Sequence, residues 1–314
     1  MVDVDVSGYL DNGVWRAGWY DTSKGGGEFK RATSAFRNWV RADKTGQFPA
    51  EAGRYHLYVS LACPWAHRTL ILRRLKRLGD VISVDVVDPI LGDDGWKFNK
   101  GGASVSGFAY LREAYVAANS HYSGRVTVPV LWDRDNGTIV SNESSDIIRM
   151  LNSAFDAFTD VRDDYYPAHL RGRIDEINEY VYERVNNGVY RCGFAGSQSA
   201  YEQAFDALFG ALHELDVRLS KWRFLVGDTI TEADWRLFTT LIRFDPVYYV
   251  HFKCNFRHIA DYPNLSRYLR ELYAVPGISE TVNMEHIKRH YYISHRQLNP
   301  GGIVPKGPAA QIPV

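Results

Sequence analysis

Cysteine, net charge and long apolar runs are all scarce in this chain of 314 residues, and each shortage excludes a class of protein. Only Cys63, Cys192 and Cys254 occur, widely spaced and odd in number, which indicates reduced thiols and not a disulfide framework. Lys+Arg and Asp+Glu both count 37, so the net charge of zero favours neither nucleic acid nor an anionic membrane. No apolar run approaches transmembrane length, and Met1–Asp5 lacks the basic start of a signal peptide. We therefore expect a soluble cytoplasmic protein.

The composition that is present indicates two domains and an aromatic pocket. A chain of 314 residues that is 45% hydrophobic, with only 12 prolines, is long enough for two compact cores. Aromatic residues make up 14% of the chain, including 20 tyrosines, which suggests a pocket lined by rings. The histidines, His67 and His121 among them, show no metal-ligand spacing, so no bound metal is expected.

The stretch from Tyr55 to Leu78 changes from a strand pattern to a helix pattern, and Cys63 stands where it changes. Pro64 is tolerated in the first turn of a helix, where its missing N–H would have no partner, so it places Cys63 at or beside the N-cap. Apolar residues at Ile71, Leu75 and Leu78 mark a buried face. The basic residues expected mostly toward solvent are Arg73, Arg74, Lys76 and Arg77.

The position of Cys63 favours reactivity. The N-terminus of a helix attracts negative charge, so a thiolate there is stabilised over a thiol, and His67 and Arg68 are cationic neighbours about one turn further on. Ala66 stands where a dithiol motif has its second cysteine, which predicts one-thiol chemistry with an external thiol. The alternative, which the local sequence leaves open, is that Cys63 is a small buried hydrophobe without chemistry.

Two structural regions follow from the order of the patterns. Residues 1–53, with Gly25–Gly27 and scattered aromatics, predict an extended arm that packs its rings onto the body. Residues 54–154 show the order βαβ–α–ββα, which is that of a thioredoxin-like domain. Its predicted strands are Tyr55–Ser60, Val81–Val87, Val126–Trp132 and Thr138–Val140, and its later predicted helices are Phe108–Ala118 and Glu143–Leu151.

Three local signals refine this domain. The turn Asp135–Gly137 contains Asn-Gly, a strong hairpin signal, so the last two strands should pair antiparallel. Ser141 and Asn142 are positioned to cap the helix that follows. In the thioredoxin fold the bond at Val128–Pro129 is cis, and this prediction rests on the fold because only about 5–6% of X–Pro bonds are cis.

After about residue 155 the strand patterns stop. Helical patterns cover Tyr165–Asn187, Ser199–Leu219, Glu232–Val247 and Asn264–Ala274. Thr231–Asp234 predicts a capping box, with Asp in place of the usual Glu or Gln. We therefore expect an α/β domain followed by an all-α domain over 155–297, and then an extended tail over 298–314 that is rich in Pro and Gly.

Several segments, in order, resemble the glutathionyl-hydroquinone reductases, which are also called the Xi-class glutathione transferases and are cysteine-type and omega-like. The matching segments are Cys63–Arg68, Gly124–Asp133, Ser141–Ser144, Phe244–Tyr248 and the region of Lys288–Tyr291. The resemblance covers nearly the whole chain. It implies an N-terminal thioredoxin-like domain, a C-terminal helical glutathione transferase domain, and a homodimer.

The resemblance also implies roles for individual residues. Cys63 matches the family nucleophile, and Glu143 with Ser144 matches the pair that holds the γ-glutamyl end of glutathione. Val128, before Pro129, would offer its backbone to the cysteinyl unit. The other matches are Trp96 and Arg125 at the glutathione site and Tyr190, Tyr248 and Tyr291 at the hydroquinone pocket. Each match has a plain alternative, which is ordinary helix capping for Ser-Asn-Glu-Ser and ordinary packing for a tyrosine.

The implied activity is a glutathione-dependent reduction in quinone metabolism. Glutathione would be removed from a glutathionyl-hydroquinone through a mixed disulfide on Cys63, giving hydroquinone and oxidised glutathione, with glutathione as co-substrate and no metal. The alternatives are a conjugating glutathione transferase, a thioltransferase or dehalogenase of the same fold, or a non-enzymatic scaffold. Conjugating enzymes hold the glutathione thiolate with a Ser or Tyr hydroxyl, whereas Cys63 would itself form a disulfide, so the reductase is favoured.

Overall fold

The structure, a computed structural model, describes residues 8–43, 46–99 and 101–309, with only the backbone of Lys24. The prediction for Met1–Asp5 and the end of the predicted tail lie outside these residues. The described residues divide into two units. Unit 1 takes those within Met1–Trp19, Ala32–Asp163 and Thr281–Val304, and unit 2 takes those within Tyr20–Arg31, Asp164–Glu280 and Pro305–Val314.

Strands occur in the first half of the described chain and helices throughout it. The strands are β1 (Gly8–Asp11), β2 (Val14–Ala17), β3 (Tyr55–Val59), β4 (Ser83–Val86), β5 (Gly124–Arg125), β6 (Val130–Asp133) and β7 (Thr138–Ser141). The first helices are α1 (Pro64–Leu75), α2 (Leu111–Ala118), α3 (Ser144–Ser153), α4 (Arg171–Val181) and α5 (Gly188–Gly193). The later helices are α6 (Gln198–Lys221), α7 (Glu232–Arg243), α8 (Tyr249–His251), α9 (Pro263–Tyr273) and α10 (Met284–Ser294).

A four-stranded sheet in the order β4-β3-β6-β7 organises unit 1. Strand β3 pairs parallel with β4 and antiparallel with β6, and β6 pairs antiparallel with β7 across the predicted hairpin turn. All 5 residues of β3 are buried, α1 packs against α3, and α2 packs against β7. The predicted thioredoxin-like order is therefore confirmed, and it sets Cys63 just beyond the end of β3.

The N-terminal arm is more regular than predicted. Strands β1 and β2 form an antiparallel hairpin around Asn12 and Gly13, both with positive φ, and β1 pairs in turn with β5. Trp39 remains 41% exposed, so the arm does not bury all of its rings. Residues 8–17, predicted only as part of an extended arm, form this hairpin because the turn residues and the edge of β5 supply its geometry and hydrogen bonds.

Two local boundaries also differ from the predictions. The strand predicted over Val126–Trp132 begins only at Val130, after the cis peptide between Val128 and Pro129, which was predicted. Helix α2 begins at Leu111, three residues later than predicted, because the loop before it pairs through an isolated bridge from Lys97. Helix boundaries carry little signal in a sequence, whereas the elements themselves do.

Lys76 was expected mostly toward solvent but is buried at the end of α1. Its ammonium nitrogen lies 2.9 Å from a carboxylate oxygen of Asp156 and donates to the carbonyl oxygen of Asp163 at 3.0 Å. A buried charge is tolerated when it is paired and hydrogen-bonded, and both partners are supplied by the segment that follows α3. Helix periodicity alone does not contain this information.

Unit 2 is helical, as predicted. Helix α5 packs against α6, α4 against α7, and α6 against α9. The capping box at the start of α7 is confirmed: the Asp234 carboxylate accepts from the Thr231 amide at 2.8 Å. Turns of π-helix follow α4 and α7, and the second contains Pro246, whose missing N–H ends regular α-helix. Within the described residues, no helix combines the length and apolar character that a membrane span requires.

Helix α10 belongs to unit 1, although it falls inside the predicted helical domain over 155–297. The imidazole Nδ1 of His290 lies 3.0 Å from the Pro89 carbonyl oxygen, and the amide of Leu91 donates to the Ser294 hydroxyl at 2.9 Å. These partners are separated by 201 and 203 residues along the chain. Helix α10 therefore packs in unit 1 with segments from the first third of the sequence.

Candidate active site

Cys63 lies at the start of α1, as predicted. Its backbone is extended, with φ −76° and ψ 124°, and Pro64 occupies the first turn. The thiol is half-buried, and its Sγ lies 3.5 Å from the carbonyl oxygen of Val128, next to the cis peptide bond. The structure therefore brings together three of the predicted site residues: the cysteine and the Val128–Pro129 pair.

Glu143 is the N-cap of α3, where Ser141 and Asn142 were predicted to cap. One carboxylate oxygen of Glu143 accepts from the amide of Ser145 at 3.0 Å and from its hydroxyl at 2.9 Å. The Ser141 hydroxyl instead accepts from the amide of Glu143 at 3.1 Å, which leaves the carboxylate to serve the helix end. The predicted cap was wrong because Glu143 itself has extended backbone and a side chain long enough to reach back.

Glu143 keeps its negative charge. Burial alone would raise the pKa of its carboxyl group. The hydrogen bonds from Ser145 and Ser34, together with the positive charge of Arg68, outweigh burial and hold that pKa below its ordinary value. The start of α3 therefore presents a carboxylate that stays ionised at neutral pH.

Arg68 joins the two helix starts. It is 1% exposed, and its Nη1 lies 3.4 Å from the hydroxyl oxygen of Ser144, the first residue of α3. The guanidinium carbon also lies 4.5 Å from the ring centre of Trp65, within cation–π range. Because an arginine can only donate, the Ser144 hydroxyl accepts from it and keeps its own proton for a further acceptor. The sequence places Arg68 near Cys63 but contains no signal for its contact with α3.

His67 has a partner of its own. Its Nε2 lies 2.8 Å from the hydroxyl oxygen of Thr281, and the ring is buried. A histidine fixed in this way orients the start of α1 against the segment before α10. Across residues 8–43, 46–99 and 101–309, no three His, Cys, Asp or Glu side chains are grouped so as to hold a metal ion.

Trp96 and Arg125 also lie in unit 1. Trp96 is nearly buried and stacks on His290, with ring centres 5.0 Å apart and planes at 24°. Arg125 donates to three backbone carbonyls of the arm: Gly8 at 3.1 Å, Gly18 at 2.6 Å and Trp19 at 2.6 Å. Arg125 thus fastens both ends of the β1–β2 hairpin, a role that the sequence did not indicate.

The three tyrosines are divided between the units. In unit 2, Tyr190 on α5 and Tyr248 in the π-helical turn have ring centres 6.1 Å apart, and both contact Phe252. The guanidinium of Arg31 lies 4.7 Å from the Tyr190 ring centre. Tyr291, on α10, belongs to unit 1 and is buried against His290 and His295.

The remaining cysteines lie away from helix starts of this kind. Cys192 and Cys254 are both buried in unit 2, and the Cys254 thiol donates to the carbonyl oxygen of Phe252 at 3.8 Å. Burial raises the pKa of Cys254 well above its ordinary value, so this thiol stays protonated. Of the described cysteines, only Cys63 is not buried.

Comparison with known proteins agrees with this architecture. Residues 62–154 match the family model "Glutathione S-transferase, N-terminal domain", and residues 198–271 match "Glutathione S-transferase, C-terminal domain". The curated glutathionyl-hydroquinone reductase YqjG of Escherichia coli is 54% identical over 312 residues, which cover 96% of this chain and 95% of the relative. The chain therefore belongs to the glutathione transferase superfamily.

Solved structures define the family within that superfamily. A Xi-class glutathione transferase from Natrialba magadii superposes with a TM-score of 0.89 at 50% identity, covering 96% of this chain and 93% of that one. The glutathione-bound structure of YqjG superposes with a TM-score of 0.87 at 51% identity, covering 96% of each chain. This protein is a member of the glutathionyl-hydroquinone reductase family, the Xi class.

Proposed function

We propose that this protein removes glutathione from glutathionyl-hydroquinones, with glutathione as the reductant and Cys63 as the nucleophile. The observation that carries the proposal is the place of Cys63, a half-buried thiol at the start of α1 whose Sγ lies 3.5 Å from the Val128 carbonyl oxygen. The positive end of the helix stabilises the thiolate, which is the reactive form. The name of the Escherichia coli relative supports the same substrate class.

Glutathione would bind between the two helix starts of unit 1. The ionised Glu143 accepts from the α-ammonium of the γ-glutamyl group, and Ser144 donates its hydroxyl proton to the neighbouring carboxylate. Val128 pairs its backbone with the cysteinyl unit, which brings the glutathione sulfur toward Cys63. Trp96 and Arg125 line this site in the proposal, and no metal takes part.

The reaction has two steps, cleavage of the thioether and then thiol–disulfide exchange. The Cys63 thiolate attacks the sulfur of the thioether, an S–S bond forms, and the bond from sulfur to the aromatic carbon breaks. The electron pair goes to that carbon, which takes up a proton, and hydroquinone leaves. A second glutathione thiolate then attacks the glutathionyl sulfur of the mixed disulfide, which gives oxidised glutathione and restores the Cys63 thiolate.

The tyrosines would assist departure of the ring. A carbanion-like leaving group is poor unless its charge is delocalised and a proton is delivered. Hydroxyl groups of Tyr190, Tyr248 and Tyr291 donate hydrogen bonds to the ring oxygens in this proposal and supply or relay the proton. A Tyr291→Phe variant with an unchanged rate would remove that tyrosine from the proton step alone.

The same proposal includes a cytoplasmic homodimer. All three cysteines are thiols outside any disulfide in the structure, as expected in a reducing compartment. Light scattering coupled to size exclusion would give a mass of twice 35.8 kDa for the dimer. A mass of one chain at micromolar concentration would contradict it.

The decisive experiment is the intact mass of the protein after one turnover with a glutathionyl-hydroquinone in the absence of free glutathione. We expect a gain of one glutathionyl unit (~305 Da) in the wild type and in Cys192→Ala, and none in Cys63→Ala. Cys192→Ala is the matched control, because it removes a buried thiol with no helix start. Consumption of the substrate without an adduct would reject the mixed disulfide, and an untouched substrate would reject the reductase in favour of conjugation.

A further inference from the structure

A segment of the N-terminal arm, Ser34–Asn38, lies along the start of α3 and is fixed there. The backbone amide of Phe36 donates to the side-chain oxygen of Asn142 at 3.1 Å, and the amide of Asn142 donates back to the Phe36 carbonyl at 3.1 Å. Arg37 binds both carboxylate oxygens of Asp146, at 2.7 and 2.8 Å. The path of the arm is therefore set by contacts with Asn142 and Asp146, which stand on either side of Glu143 in the sequence.

That target is Glu143. The hydroxyl oxygen of Ser34 lies 2.9 Å from Oε2 of Glu143 and 3.4 Å from the carbonyl oxygen of Asn142. A hydroxyl has one proton to donate, and the shorter contact to a charged acceptor is the stronger one. Oε1 of Glu143 already accepts hydrogen bonds from Ser145. One carboxylate oxygen is therefore held by a residue of α3 and the other by a residue of the N-terminal arm.

We infer that Ser34 is a positioning residue of the glutathione site, acting through Glu143 on the α-ammonium of the γ-glutamyl group. This inference rests on the proposed function. A carboxylate whose two oxygens both accept hydrogen bonds keeps one orientation, so it does not lose side-chain freedom when the ligand binds. The bond from Ser34 also favours the ionised carboxylate, which is the form that attracts an ammonium group.

The test is a coupling measurement between Ser34 and the ligand's ammonium group. Binding of S-methylglutathione, whose capped sulfur cannot exchange with Cys63, is measured by titration calorimetry on the full chain. The second ligand is the same molecule without its α-amino group. Wild type should prefer the first ligand by about tenfold or more, since removing the ammonium leaves the Glu143 charge without its partner.

In Ser34→Ala, affinity for S-methylglutathione should fall by about 3- to 10-fold, while affinity for the deamino ligand changes by less than about twofold. Ser34→Thr, which keeps the hydroxyl, should restore the wild-type preference. Ser153→Ala is the matched control, because Ser153 is exposed, bonds only within α3 at 3.3 Å to the Arg149 carbonyl, and should change neither affinity.

Different outcomes reject different statements. Equal losses for both ligands in Ser34→Ala would show a general structural role, and no loss for either would show no role, so each would overturn the inference. Failure of the wild type to bind S-methylglutathione would reject the proposed glutathione site and this inference with it. The Ser34 variants leave Cys63 in place, so the adduct experiment remains an independent test of the reductase proposal.

Discussion

Helices α1 and α3 pack against each other, and each begins after an N-cap residue with extended backbone, Cys63 in one case and Glu143 in the other. The N-cap residues have φ and ψ of −76° and 124° at Cys63 and −101° and 113° at Glu143. Glu143 turns its side chain back and accepts from the helix backbone, whereas the Cys63 side chain makes no capping bond to α1. The two N-cap residues therefore share an extended backbone, but only Glu143 caps its helix with its side chain.

The difference separates reactivity from binding. At α3 the ionised Glu143 lies at the positive helix end, where hydrogen bonds from Ser145 and Ser34 fix it, and in the proposed function its charge binds the ammonium group of glutathione. At α1 the helix end has no capping carboxylate, and in the proposed function the anion that it stabilises is the thiolate of Cys63 itself. If the proposed function holds, the identity of one N-cap residue in each of these two helices determines whether the helix start activates a nucleophile or holds a ligand.

The largest effect is expected when the reactive N-cap is changed. Cys63→Ser should lower the rate of oxidised glutathione formation from a glutathionyl-hydroquinone by on the order of 10³-fold or more, because a serine hydroxyl stays protonated and cannot enter thiol exchange. Glutathione affinity should stay within about threefold of wild type, since α3 is untouched. Cys192→Ser is the control and should keep the rate.

A Cys63→Ser variant with half the wild-type rate or more would remove the contrast between the two helix starts. The assignment of Cys63 as the nucleophile would then be wrong. Loss of the rate together with an equal loss of glutathione affinity would instead assign Cys63 a binding role.

A smaller effect is expected when the binding N-cap is neutralised. Glu143→Gln should weaken glutathione binding by about 10- to 100-fold, because a charged hydrogen bond to the ligand's ammonium group is replaced by a neutral one. The rate at saturating glutathione should change by less than about threefold, since the interaction is made before and during the reaction alike. Initial rates over a range of glutathione concentrations separate the two quantities.

Asp146→Asn is the matched control for Glu143→Gln. Asp146 lies in the first turn of the same helix, but its carboxylate is paired with Arg37. An equal loss of affinity in both variants would mean that any negative charge near the start of α3 serves, and that Glu143 has no special position.

Local features of this site could be predicted from the sequence. Pro64 after Cys63 and the Asn-Gly turn before β7 each act within a few residues, and both predictions agree with the structure. The cis bond at Val128–Pro129 needed the fold as well, because the dipeptide alone has a low cis frequency. Chemistry that is carried by neighbours in sequence is therefore visible before the structure.

Contacts between distant segments were not predictable. Ser34 and Glu143 are separated by 109 residues, Arg68 and Ser144 by 76, and His67 and Thr281 by 214. Ser34 stands in an arm without helix or strand periodicity, so no pattern indicates where its hydroxyl points. Lys76 shows the same limit, since only the fold supplies the carboxylate that allows its burial.

The smallest effect concerns the charge that links the two helix starts. Arg68 lowers the pKa of Glu143, whose net shift is downward, so the carboxylate is ionised above that pKa and loses its charge as pH falls through it. Arg68→Met removes one lowering contribution, which raises the pKa of Glu143. As the pH is lowered, glutathione affinity should then begin to decline at a higher pH than in wild type, while at about pH 7 the loss is only about 2- to 5-fold.

Arg68→Lys keeps the charge, so the pH at which glutathione affinity is half lost should stay at its wild-type value. Arg74→Met, on an exposed side of α1, is the matched control. If glutathione affinity is half lost at the same pH in Arg68→Met and in wild type, Arg68 acts on Ser144 alone. The two helix starts would then be electrostatically independent.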